Sequence, residues 1–101
     1  MSVMIVRFNS GEEVIANIEE TETSITLKNP SILIPSPEGK LLLARWLPYA
    51  ITDGGITLDK KNVMFTIKPQ QELENHFVNV IVNNLAVPSK KIVEPNLKLS
   101  V

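Results

Sequence analysis

The chain opens on a short apolar run, Val3 to Phe8 (VMIVRF), rich in β-branched side chains and closed by the turn signal Asn9-Ser10-Gly11. Such a run predicts a strand. Val14 to Ile18 then alternates, with Val14, Ala16 and Ile18 on one face and Ile15 and Asn17 on the other. Ser24 to Asn29 alternates again, Ile25 and Leu27 opposing Thr26 and Lys28. Together the three pieces predict an antiparallel meander. Asn29-Pro30 interrupts the ladder because proline has no N–H to donate, which predicts a bend or an edge before Ser31 to Ile34 resumes it. Pro35 to Gly39 (PSPEG) reads as a loop.

Leu41 to Leu47 (LLLARWL) is apolar on both faces apart from Arg45. A strand of this kind needs cover on both sides, within the fold or against a partner chain. Asp53-Gly54-Gly55 supplies a turn with two residues free to take positive φ. Ile56 to Leu58 and Val63 to Ile67 then flank a polar turn, Asp59-Lys60-Lys61-Asn62. Beyond Lys68-Pro69 the period changes: Leu73, Phe77, Val80 and Ile81 fall at helical spacing and form one apolar stripe. Glu72 and Glu74 suit the positive end of such a helix, although FVNVIV, dense in β-branched residues, also fits a strand. The reading is a single domain over 1–101: about five short strands through residue 68, a helix over 69–84, and a tail over 85–101 that is a peripheral strand or an extended arm. A small, strongly bent barrel is the closure that hides the edges such a sheet leaves exposed.

Composition narrows this picture. One domain accounts for 101 residues, and with aromatics at 5% the core rests on Leu, Ile and Val. Many β domains with thin cores gain burial by oligomerising. No cysteine is present, which removes disulfides and thiolate chemistry. The N-terminus has no basic n-region, and no apolar stretch approaches the ~20 residues of a membrane span, so no membrane association and a cytoplasmic location are expected. Ten basic and eleven acidic residues give no global field toward nucleic acid, so any such binding requires a local patch.

Catalytic chemistry has little to stand on. His76 is the lone histidine and lies one residue from the apolar stripe, which reads as a boundary position. The carboxylates Glu12, Glu13, Glu19, Glu20 and Glu22 sit at turns and strand ends as a solvated rim, without the glycine-framed loop of a calcium site. Asp53-Gly54-Gly55 lacks the Lys-Ser/Thr that would make it a phosphate loop. The expectation is a non-enzyme with no metal and no cofactor.

The stretch SGEEVIANIEETETSITLKN resembles the first Sm motif of the Sm-like family, most visibly in its Hfq branch, which reads Gly-x-x-Leu-x-Gly-x-Ile-x-x-Phe-Asp. The matching positions are Gly11, Val14, Ala16, Ile18, Thr21 and Glu22, followed by the alternating Ile25-Thr26-Leu27. ITLDKKNVMFTIKP is similar to the second Sm motif, with Lys60-Lys61 where the family has Arg-Gly or Lys-His. The two stretches cover about a third of the 101 residues, in the family's order. The whole chain also resembles small Sm-like proteins of marine-phage (cyanophage) type, through Trp46-Leu47-Pro48 and Pro69-Gln70-Gln71-Glu72-Leu73.

This resemblance implies a bent five-stranded barrel that assembles into a homo-oligomeric ring of roughly five to seven copies, in host cytoplasm if phage-encoded. It implies edge-strand pairing between subunits, with Leu41, Leu43 and Arg45 on one strand and Val63, Phe65 and Ile67 on another as interface candidates; from the residues alone, both fit internal core strands equally well. It further implies single-stranded RNA held near the pore by Lys60, Lys61, Thr21, Glu22 and Thr23. The alternatives are a structural or protein-interaction ring without the RNA pocket and, for Lys60-Lys61, a plain solvated turn. The chain departs from the family in having Ala16 at its strand glycine and no aromatic or asparagine in Thr21-Glu22-Thr23-Ser24.

Overall fold

A computed structural model describes residues 1–52 and 54–83. Asp53, the end of the expected helix at residue 84 and the expected tail over 85–101 lie outside the described residues. Among the described residues six strands form one antiparallel sheet: β1 (Val3–Phe8), β2 (Glu13–Glu20), β3 (Ser24–Pro35), β4 (Leu41–Arg45), β5 (Ile56–Asp59) and β6 (Val63–Ile67). Along the sheet the order is β4-β3-β2-β1-β6, with β5 also paired to β3. A 3-10 turn, Lys60–Asn62, joins β5 to β6, and α1 (Gln71–Phe77) runs on into a π-helical turn, Val78–Val82.

The meander β1–β3 follows the alternation in the sequence. Gly11 takes φ 98° in the β1–β2 turn, and its N–H donates to the Phe8 carbonyl at 2.9 Å. Proline does not end β3. The β2–β3 register passes from Asn17↔Lys28 to Ile15↔Ser31, so Ala16 faces two residues, Asn29 and Pro30. This is a β-bulge, which absorbs the missing donor and turns the strand. Asn29 adopts φ 55°, a left-handed conformation that asparagine tolerates better than most residues. The buried Ser31 hydroxyl donates to the Asn29 carbonyl at 3.2 Å, so the bend carries its own polar partner. Bending at this point lets β3 pair with β5 along Ser24–Leu27 and with β4 along Ser31–Pro35, both on the edge away from β2.

The expected five-stranded barrel is corrected on two counts: among the described residues there are six strands, and no ladder closes the sheet. The physical reason is the short crossing Lys60–Asn62, which spans from β5 (on β3) to β6 (on β1) and leaves those strands unpaired with one another. The strand expected over Leu41–Leu47 stops at Arg45, because Leu47 takes φ 59° ahead of Pro48. Gly55, at φ 90°, lies so close to β3 that a Cβ there would meet Thr26 Cγ2 at 2.9 Å and the Leu27 carbonyl at 3.1 Å. Only glycine fits this approach.

Two apolar clusters hold the molecule together. Inside the bend lie Val6, Phe8, Val14, Ala16, Ile18, Ile25 and Leu27, flanked by Met4, Ile32, Trp46, Leu58 and Val63. On the opposite face Val3 and Ile15 meet Phe77 and Ile81 from the helix. The stripe Leu73, Phe77, Val80 and Ile81 therefore packs as helical spacing predicts, and the β-branched run FVNVIV is helical. Burial of this stripe outweighs the modest strand preference of Val and Ile. Each large apolar side chain fully buried in this way contributes roughly 1.5–3 kcal/mol.

Candidate functional site

The site candidates lie at the end of the sheet where the β2–β3 turn and the Lys60–Asn62 turn meet. The first turn is closed by the Thr21 N–H donating to the Ser24 carbonyl at 2.9 Å. Thr21 Oγ1 accepts from the Ser24 N–H at 3.0 Å and lies 2.7 Å from Ser24 Oγ, so the Thr21 hydroxyl is engaged in shaping its own turn. Glu22 and Thr23 are exposed at the tip. The second turn is held from both sides. Asp59 Oδ1 accepts from the Lys61 N–H at 3.0 Å, and Asn9 Nδ2 donates to the Lys61 carbonyl at 2.7 Å.

A single backbone bond joins the two turns: the Lys60 N–H donates to the Thr23 carbonyl at 2.9 Å. Residues almost forty positions apart in the chain thus share one surface, and the RNA candidates Thr21, Glu22, Thr23, Lys60 and Lys61 come together. Their charges are mixed. Lys60 Nζ lies 3.0 Å from Glu20 Oε1, with both side chains partly exposed, a pair of about 0–1 kcal/mol. Lys61 is exposed and takes part in none of the four ion pairs among the described residues. A cleft of about 230 Å³ opens beside the turns, lined by Glu20, Ile25, Lys60, Val63, Phe65 and Thr66. Glu20 has no short-range signal that would mark it as a partner of Lys60, since only the folded sheet brings them together.

The interface candidates do not meet within one chain; β4 and β6 stand at opposite ends of the sheet path. Among the described residues β4 pairs only with β3 and β6 only with β1, so each presents a free edge. Leu43 packs into the helix-side cluster and Val63 against the interior one, which commits both to this chain's own cores. Leu41 and Arg45 are exposed. On β6 the apolar side chains stand well into solvent: Phe65 is 41% exposed, Ile67 53% and Met64 55%. Met64 is the extra residue of a second bulge, where the β1–β6 register shifts between Arg7↔Phe65 and Phe8↔Val63.

A second cleft, of about 240 Å³, lies on the other side of the Lys60–Asn62 turn. Phe8, Trp46 and Leu58 line it together with Ser10, Glu12 and Asn62. Trp46 stacks on Phe8 with ring centroids 5.4 Å apart and planes inclined by 26°. No contiguous pattern brings Asn62 beside Trp46, because their proximity arises only when the turn crosses from β5 to β6. Among the described residues no three His, Cys, Asp or Glu side chains gather in a metal-binding group, and no helix is long and apolar enough to cross a membrane.

Compared with protein-family models and with curated proteins, the chain matches none.

Proposed function

We propose that this chain is an Sm-like subunit that assembles with identical copies into a ring and binds single-stranded RNA through its two adjoining turns. The observation that carries the reading is the Lys60–Thr23 backbone bond, which seats the two motif-bearing turns side by side. The free edges support the assembly. Pairing β6 of one copy with the β4–β5 edge of the next adds main-chain hydrogen bonds and covers Phe65 and Ile67. Repetition about an axis brings one Lys61 per copy to a common annulus, so a chain of net charge −1 still offers phosphate a local cationic surface.

A second reading, a structural or protein-interaction ring, is favoured by the Lys60–Glu20 pair, which spends one of the two lysines on a neighbouring carboxylate. Fluorescence anisotropy with labelled oligo-U and oligo-A, at low and moderate salt, separates the two. RNA binding is expected to weaken with salt by a log–log slope of roughly −0.7 per phosphate neutralised, and to be lost in Lys60→Ala/Lys61→Ala. A ring by native mass spectrometry that binds neither oligonucleotide at low salt leaves the protein-interaction reading standing. A monomer by the same measurement counts against the Sm-like assignment itself.

A further inference from the structure

The cleft beside Trp46 is framed by three segments that backbone hydrogen bonds tie together, and none of the residues proposed to meet RNA lines it. The β1–β2 turn closes back on Phe8, whose N–H donates to the Glu12 carbonyl at 2.9 Å. The crossing turn is tied to the same segment twice. The Asn9 backbone N–H donates to the Asn62 carbonyl at 3.0 Å, and Asn9 Nδ2 donates to the Lys61 carbonyl at 2.7 Å. Just after β4, the Trp46 backbone N–H donates to the Pro30 carbonyl at 3.0 Å, and the indole stacks on Phe8. The half-buried Trp46 and Leu58 and the buried Phe8 thus make a preformed apolar wall. Ser10, Glu12 and Asn62 stand exposed at its rim.

Glu12 is the one charged residue of this lining, and it joins none of the four ion pairs among the described residues. A carboxylate accepts hydrogen bonds and donates none, and the faces of aromatic rings carry the negative side of their quadrupoles. Both features favour a cation. An anion would meet Glu12 with no Lys, Arg or His in the lining to offset it. About 240 Å³ is below the roughly 300–1,000 Å³ of pockets that enclose drug-sized ligands, so the cleft takes one side chain rather than a whole small molecule. Of the two cationic side chains, arginine fits this wall better. Its guanidinium is flat and weakly hydrated, stacks on aromatic faces and donates in pairs to a carboxylate. Lysine brings a strongly hydrated point charge that makes less use of a flat wall. We propose that this cleft binds an arginine side chain presented by an extended segment of a partner protein. The guanidinium stacks on Trp46 and donates to the Glu12 carboxylate, and Ser10 and Asn62 accept from its remaining N–H groups. The inference goes beyond the RNA reading above and uses none of its side chains, so either can fail alone.

Trp46 is the only tryptophan, so its emission and its indole N–H resonance report the cleft directly. The full chain is titrated with acetyl-Gly-Arg-Gly-amide, with the lysine and citrulline counterparts, and with free L-arginine. Saturation by the arginine peptide is expected at roughly millimolar concentration. The citrulline peptide, similar in shape but uncharged, is expected to bind at least about tenfold more weakly, and the lysine peptide a few-fold more weakly. Glu12→Gln, a change at an exposed position, is expected to weaken the arginine peptide by about tenfold. Trp46→Phe keeps an aromatic ring against Phe8 and is expected to weaken it several-fold, read from the side-chain amide resonance of Asn62. Equal binding of the arginine and citrulline peptides, or unchanged affinity in Glu12→Gln, overturns the inference. Tighter binding of free L-arginine than of the blocked peptide also overturns it, since the cleft then serves a small molecule. Oligonucleotide binding by anisotropy, with Trp46 silent to every peptide, overturns the inference and leaves the proposed function standing. A Trp46 response to the arginine peptide without oligonucleotide binding supports the inference and counts against the RNA reading.

Discussion

The two apolar clusters on either face of β1 and β2 are made in different ways. The interior one draws its seven buried residues from Val6 to Leu27, a span closed by two tight turns. The helix-side one joins Val3 and Ile15 to Phe77 and Ile81, across nearly the whole described chain. The buried residues inside the bend come from local hairpins with low loop-closure cost, and Trp46, Leu58 and Val63 close over them from later in the chain. Burial on the outer face exists only once the last element docks. The sheet thus makes its own interior but depends on the helix to cover its back.

Removing Phe77 is the strongest way to break this comparison. Phe77→Ala is expected to cost about 3–5 kcal/mol in urea unfolding. It is also expected to reduce helical ellipticity more than it disturbs Trp46 emission, which belongs to the interior cluster. Leu27→Ala, buried inside the bend, is expected to cost about 2–5 kcal/mol and to shift Trp46 emission directly. Equal loss of both signals in both variants would mean the clusters are a single unit. Phe65→Lys with Ile67→Lys touches neither core. Subunit stability is expected to stay within about 0.5 kcal/mol, while native mass spectrometry shows loss of assembly. The smallest effect belongs to Glu20→Gln, expected to change stability by about 0–1 kcal/mol. Its larger consequence is to release Lys60, so that oligonucleotide binding rises at low salt.

Much of this architecture was legible. The meander, the polar turn between Ile56–Leu58 and Val63–Ile67, and the helical stripe after Pro69 all follow from residue spacing, which local propensity and one-sided burial both support. The course of β3 through Pro30 was not, because a bulge depends on the partner strand. Ala16 faces two residues only in the paired sheet. The same pairing bears on Ala16 as a departure from glycine: the irregularity sits across from it, at Asn29 and Pro30. The doubly apolar run from Leu41 read as a strand in need of cover, and in the fold Leu43 is packed while Leu41 is 46% exposed. At the candidate site, motif order set the lysines and threonines in two turns, and the fold brings those turns together. The Glu20 counter-charge and the Trp46–Asn62 cleft were not legible, since each is a product of the crossing turn rather than of any contiguous pattern.

The bulge at Met64 has a consequence for polymerisation. A flat, regular and apolar edge would template any extended chain that met it and so invite fibrils. With one residue displaced, β6 has a break in its hydrogen-bonding rhythm just where Arg7↔Phe65 gives way to Phe8↔Val63. An incoming strand must match that break to dock along the full length. The edge is therefore selective by shape, open to a partner of the right geometry and a poor seed for indiscriminate stacking.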